Sequence, residues 1–85
     1  MERTALVTGC SSGIGRATAE AFSEEGWTVY ATARDDADLA GLDAETAALD
    51  VTDDADVERV VDRVIEETGR IDCLVNNAGY GQYGP

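Results

Sequence analysis

The residues with the most chemical content form one short run, Thr8-Gly9-Cys10-Ser11-Ser12-Gly13-Ile14-Gly15. It follows a stretch with strand character and opens one with helical character, the context in which a glycine-rich turn binds phosphate. Gly9 lets the chain leave a strand in a tight turn. Gly13 lets the backbone approach a pyrophosphate closely, and Gly15 lets the following helix pack near the sheet. Free N–H groups at the start of that helix would face the ligand, and the helix dipole favours negative charge there. Ser11 and Ser12 are candidate phosphate or ribose contacts. The alternative is that the three glycines serve only the turn.

The elements that must position this loop are legible along the chain. Residues 4–8 (TALVT) form an apolar run rich in β-formers. From Ile14 the period becomes helical, with Ile14, Ala17, Ala21 and Phe22 on one face, and Gly26 ends the helix. Residues 27–32 (WTVYAT) read as a second strand, and residues 34–45 as a polar loop with at most a short helix. Residues 46–50 (TAALD) give a short third strand. Residues 52–54 supply helix N-cap types. Val57, Val60, Val61, Val64 and Ile65 then follow an amphipathic helical spacing, with Arg59 and Arg63 off the stripe and Gly69 as a stop. Residues 71–75 (IDCLV) form a fourth strand that runs into Asn76-Asn77-Ala78-Gly79.

The order β-α-β-(α)-β-α-β implies parallel strands with right-handed crossovers. Helices would cover both sheet faces, so the strands are apolar throughout. With 85 residues the chain has room for one small domain.

Composition excludes several functions. There are 18 acidic residues and 6 basic ones, a net charge of −12, with no lysine and no histidine. Such a surface repels nucleic acid and anionic membranes. It is either merely acidic or adapted to concentrated salt, where the Debye length is about 3 Å at 1 M. The salt reading is favoured, because an acidic excess without lysine is unusual. No stretch is apolar and long enough to span a bilayer. Met1-Glu2-Arg3-Thr4 runs straight into a strand pattern rather than a signal peptide, so a cytoplasmic location is expected. Cys10 and Cys73 lie at offset levels of the sheet, too far apart for a disulfide. Without histidine they make a poor zinc site, so no metal is expected. Both read as small apolar residues in a reducing compartment.

The loop spacing, G-x-x-x-G-x-G, is neither the G-x-G-x-x-G fingerprint nor a P-loop, which needs a lysine. Residues 8–15 resemble the Thr-Gly-x-x-x-Gly-Ile-Gly signature of the short-chain dehydrogenase/reductase family, matching every fixed position. Asp50-Val51 is similar to the family's pair that holds the adenine ring. Asn76-Asn77-Ala78-Gly79 is similar to the motif that supports the sheet and lines the cofactor's ribose, and Gly69-Arg70-Ile71-Asp72 looks like its lead-in. Together these cover essentially the whole chain. The resemblance implies a Rossmann-like doubly wound α/β sheet, here four strands in the order 3-2-1-4 of a larger sheet. The chain is then expected to be the N-terminal part of one dinucleotide-binding domain, cut before the catalytic segment. It implies cofactor contacts from Thr8, Gly9, Ser11, Ser12, Gly13, Ile14, Gly15, Arg34, Asp50, Val51, Asn77, Ala78 and Gly79. Asp50 alternatively starts the next helix cap, and Asn76 and Asn77 are alternatively structural.

In this fold the end of the second strand reads the adenosine ribose. By the family register Ala33 takes the position of the acidic residue that selects NAD, and Arg34 follows it. Arginine suits a 2′-phosphate through its two-pronged donor fork. NADP(H) is therefore expected, with NAD(H) possible, because Asp35 or Asp36 would reverse the choice after a small register shift. The alternative for Arg34 is a solvated loop charge.

The family transfers hydride between the nicotinamide ring and a carbonyl or alcohol, using a serine and a Tyr-x-x-x-Lys pair. Without lysine that pair cannot lie within these residues. Tyr30 and Arg34 mimic its spacing from a strand, and Tyr80 and Tyr83 have no lysine after them. No catalytic residue is assigned. A free-standing nucleotide-binding module without catalysis, and a truncated product that does not fold stably, are the alternatives to a partial oxidoreductase. The parent enzyme would take a small carbonyl or alcohol substrate and form a homo-oligomer.

Overall fold

The computed structural model describes residues 3–11 and 13–77. Its elements run β1 (Thr4–Thr8), α1 (Gly13–Glu24), β2 (Thr28–Ala33), a short 3-10 helix (Asp36–Leu39), β3 (Glu45–Ala48), α2 (Asp54–Thr68) and β4 (Cys73–Asn76). All strand pairs are parallel, in the order β3-β2-β1-β4. The strand limits differ from the sequence expectation by one or two residues, β2 reaching Ala33 and β4 beginning only at Cys73.

The two central strands are buried almost throughout, because each face carries its own core. Ala5, Val7, Val29, Ala31 and Ala33 pack with Ala19 of α1 and with Leu39. Leu6, Tyr30 and Ala47 point the other way, onto Val60 and Val64 of α2. The edge strands depart from the all-apolar expectation. β3 and β4 are covered only in part, and Leu74 of β4 is 61% exposed. Among the described residues, no helix is long and apolar enough to cross a membrane.

Helix α1 corrects one expectation. Its buried residues are Gly15 and Ala19, while Ile14 is 68% exposed and Ala17 and Ala21 are exposed too. Phe22 alone of the expected face packs on the core, edge-on to Trp27. The cause is distance. The helix sits so close to the start of the loop that only its smallest residues fit beneath it, and these do not stand out in a count of large apolar side chains.

Helix α2 follows its expected stripe except at Ile65, which is 43% exposed. Asp53 caps it, accepting from the N–H groups of Ala55 and Asp56. Gly69 ends it with φ +82°, its N–H donating to the Ile65 carbonyl at 2.7 Å. Arg63 lies off the stripe but is not idle. It donates to the Thr46 carbonyl and to Glu67, and its guanidinium lies over the Tyr30 ring.

Tyr30 is buried, and its hydroxyl donates to Glu67 Oε1 at 2.6 Å. Burial, then that hydrogen bond, push the phenol up from 10.0 to about 12. A raised folded value means that stability is intact below pH 10 and falls as pH rises through about 12. Tyr30→Phe should cost about 1 kcal/mol at neutral pH and flatten this alkaline loss. Denaturant melts at neutral and alkaline pH check it, and an unchanged alkaline slope in the variant would refute the assignment.

Candidate cofactor site

The glycine loop leaves β1 through Gly9, at φ +69°. The next residue extends the sheet ladder, with the Cys10 N–H donating to the Thr32 carbonyl at 2.9 Å. The Cys10 side chain is fully buried in the α1-side core, and its Sγ–H donates to the Val7 carbonyl. Burial raises its thiol pKa, so it stays protonated and unreactive. Both cysteines are free, as expected.

Gly15 is where the loop and helix lock together. A Cβ there would lie 2.2 Å from the Gly9 carbonyl oxygen and 3.0 Å from Cys10 Cα. Gly15 therefore lets α1 pack on the loop's own backbone. Gly13 is the opposite case, since a Cβ on it would meet no atom within 4 Å. Open space at the amino end of a helix leaves a phosphate free to approach its N–H groups.

The charges agree with that shape. The first turn of α1 carries no acidic residue, whereas α2 begins with Asp53, Asp54 and Asp56. In a chain of net charge −12, the first turn of α1 itself carries no carboxylate to oppose a negative ligand.

Thr8 ties this loop to β4. Its hydroxyl donates to Asn76 Oδ1 at 2.9 Å and accepts from the Asn77 N–H at 3.1 Å. The structural reading of the asparagine pair thus holds for Asn76. Asn77 Nδ2 is buried and finds no acceptor among the described residues.

A cleft of about 190 Å³ opens at the carboxyl ends of β1, β2 and β3, lined by Gly9, Ser11, Ala33, Arg34, Asp35, Asp38, Leu49 and Val51. Ala33 is buried at its floor, and Arg34 is exposed at its rim. Asp35, also in the lining, caps the 3-10 helix, its Oδ1 accepting from the Ala37 N–H at 3.0 Å. The Asp50 Oδ1 accepts from the Thr52 hydroxyl at 2.6 Å and from the Thr52 N–H. Those bonds, with a smaller contribution from the Arg34 charge, hold its carboxyl below the usual range. The Asp50 N–H donates to Asp56 Oδ2 at 2.8 Å. Asp50 therefore shapes the turn ahead of α2, while the cap itself is Asp53.

Of the thirteen expected contacts, Gly9, Ser11, Arg34 and Val51 share this cleft. Thr8, Gly13, Gly15, Asp50 and Asn77 flank it on the same edge of the sheet, and Ile14 is exposed at the start of α1. Ser12, Ala78 and Gly79 lie outside the described residues, as do Tyr80 and Tyr83. Sequence reasoning missed the cap made by Asp35 and the place of Asp38 in the lining. The Asp-Asp-Ala-Asp run signals a short capped helix only once the loop is known to fold.

A larger hollow lies at the opposite, amino end of the strands, lined by Tyr30, Glu45 and Glu67. It lies at the wrong edge for a cofactor, since open parallel sheets bind ligands beyond their carboxyl ends. The residues of the carboxyl edge fit a dinucleotide: an open approach at Gly13, a first turn of α1 without carboxylates, a buried Asn77 donor without a partner among the described residues, and the Arg34 guanidinium at the cleft rim.

Comparison with known proteins agrees. The family model for short chain dehydrogenase matches residues 3–85. The 3-oxoacyl-(acyl-carrier-protein) reductase of Escherichia coli is 42% identical over 83 residues, covering 91% of this chain and 34% of that protein. The crystal structure of 3-ketoacyl-(acyl-carrier-protein) reductase from Brucella melitensis complexed with NADH superposes with a TM-score of 0.78 at 32% identity, over 85% of this chain and 32% of that one. Actinorhodin polyketide ketoreductase with NADPH gives a TM-score of 0.81 at 36% identity, over 89% and 33%. The chain spans about a third of the length of the curated relatives it matches. A glycine loop, a 3-2-1-4 sheet and these matches have one common explanation: the chain belongs to the short-chain dehydrogenase/reductase family.

Proposed function

We propose that this chain is the NADP(H)-holding portion of an oxidoreductase acting on a carbonyl or alcohol. The observation that carries the cofactor choice is the pairing of Ala33 and Arg34 in one cleft with Gly9 and Ser11, while Asp35 is committed to a helix cap. An uncommitted carboxylate at the end of β2 would favour the ribose hydroxyls of NAD; a small residue followed by arginine favours a 2′-phosphate. The bound nicotinamide would supply or accept the hydride. The chain's own residues bind and orient: the amino end of α1 with Gly13, Ser11 and Ser12 at the pyrophosphate, Val51 beside the adenine, and Asn77 with Ala78 and Gly79 along the second ribose. Asp50 holds the turn that presents Val51.

The proton-transferring Tyr-x-x-x-Lys pair and the orienting serine belong, in this reading, to polypeptide beyond these 85 residues. The half-covered β4, with Leu74 exposed, is consistent with a sheet that continues there. The test is NADPH oxidation by the full-length protein against a panel of ketones and aldehydes. Turnover with NADPH supports the reading. Tight binding without turnover on any carbonyl or alcohol would instead favour a nucleotide-binding module without catalysis.

The charge balance supports work in concentrated salt. The basic residues are all arginines, and Arg59, Arg63 and Arg70 are drawn into ion pairs with Asp56, Glu45 or Glu67, and Asp72. Most of the carboxylate excess is left to repel itself, and salt screens that repulsion. Thermal melts should rise from dilute buffer to molar KCl. Equal melting in both would refute the adaptation.

A further inference from the structure

The connection from β2 to β3 carries the cleft's Arg34, Asp35 and Asp38, and it is fastened to α1 by one side chain. Arg16 Nη1 donates to the Asp38 carbonyl at 3.0 Å, and Nη2 donates to the Ala40 carbonyl at 2.9 Å. The two carbonyls flank the end of the 3-10 helix that Asp35 caps. One guanidinium fork thus fixes two points two residues apart. Arg16 is absent from the cleft lining. It follows directly on Gly15, whose close contact with Gly9 sets the helix against the loop.

We propose that Arg16 is a specificity-positioning residue, which fixes the β2–β3 connection on α1 and so holds Arg34 where it meets the adenosine 2′-phosphate. This rests on the NADP reading above. The clamp is not the connection's only fastening. Leu39 already buries the connection in the α1-side core, and Ser23 Oγ donates to the Asp43 carbonyl further along. The Asp38 and Ala40 carbonyls are at the surface, where water replaces a lost donor at little cost. What the clamp supplies is position. Without it, the segment between Ala33 and Leu39 has more arrangements to lose when a phosphate binds, and NADP(H) alone bears that loss.

The test measures NADPH and NADH dissociation constants for the full-length protein and for Arg16→Met, Arg16→Lys and Arg34→Ala. Arg16→Met should lower the NADPH preference about fivefold, mainly by weakening NADPH, with the melting temperature nearly unchanged. Arg16→Lys keeps the charge but not the fork, and should fall between the two. If Arg34→Ala loses the preference while both Arg16 variants keep it, the positioning role is overturned and the NADP reading stands. If Arg34→Ala also keeps it, both fall. Should Arg16→Met fail to fold, Arg16→Lys decides, since a wild-type preference in it overturns the fork.

Discussion

Replacing Gly15 by alanine should unseat the glycine loop, destabilising the fold by about 3 kcal/mol and abolishing measurable dinucleotide binding. The added methyl would lie 2.2 Å from the Gly9 carbonyl oxygen and 2.8 Å from its carbon. Those atoms are backbone, and Gly9 already uses a left-handed φ of +69°, so no side chain can turn aside. The amino end of α1 would have to retreat by about 1 Å or more to restore ordinary contact. That retreat moves the very N–H groups that, in the proposed reading, would face the pyrophosphate. Gly13→Ala is the matched control, because its methyl meets nothing within 4 Å. It should melt like the parent, yet lose at least about tenfold in affinity by filling the space a phosphate needs. Denaturant unfolding and cofactor titration of both variants separate the roles. A Gly15→Ala variant within about 0.5 kcal/mol of the parent would refute the packing argument.

The second large effect concerns Arg34. Arg34→Ala should weaken NADPH by about 10- to 100-fold while changing NADH by less than about threefold, since a charge-assisted hydrogen bond contributes roughly 1.5–3 kcal/mol. Its guanidinium makes no hydrogen bond or ion pair among the described residues, and it is exposed at the cleft rim. Its loss should therefore cost little stability, no more than its weak attraction for the Asp50 carboxylate supplies. The NADPH effect should shrink in high salt, as a charge contact at the surface must. Equal weakening of both cofactors would mean that Arg34 supports the cleft rather than reads the phosphate.

The parts of this molecule that the sequence reveals are those fixed by local chemistry. A strand, a turn with glycines at set spacing and a helix form a unit whose order dictates parallel pairing, while the strand order 3-2-1-4 is legible only through the family resemblance. Gly69 ends α2 because a left-handed residue is needed there. The errors arise where long-range packing decides. Ile14, Ala17 and Ala21 carry the apolar period of α1, but the approach of Gly15 to Gly9 turns Ala19 toward the sheet instead. Asp50, Asp53 and Asp54 are alike as cap residues. Only the path of the chain assigns the cap to Asp53 and the turn to Asp50. Arg16 offers no sequence signal at all, because its partners are backbone carbonyls more than twenty positions away.

The most direct test of the account is an equilibrium titration of the full-length protein with NADPH, followed by nicotinamide fluorescence and competed with NADH. One NADPH per chain, displaced by NADH only at a concentration about tenfold higher or more, is the result expected from Arg34 in the cleft. Failure of both dinucleotides to bind at millimolar concentration would contradict the claim that the carboxyl edge of this sheet is a cofactor site.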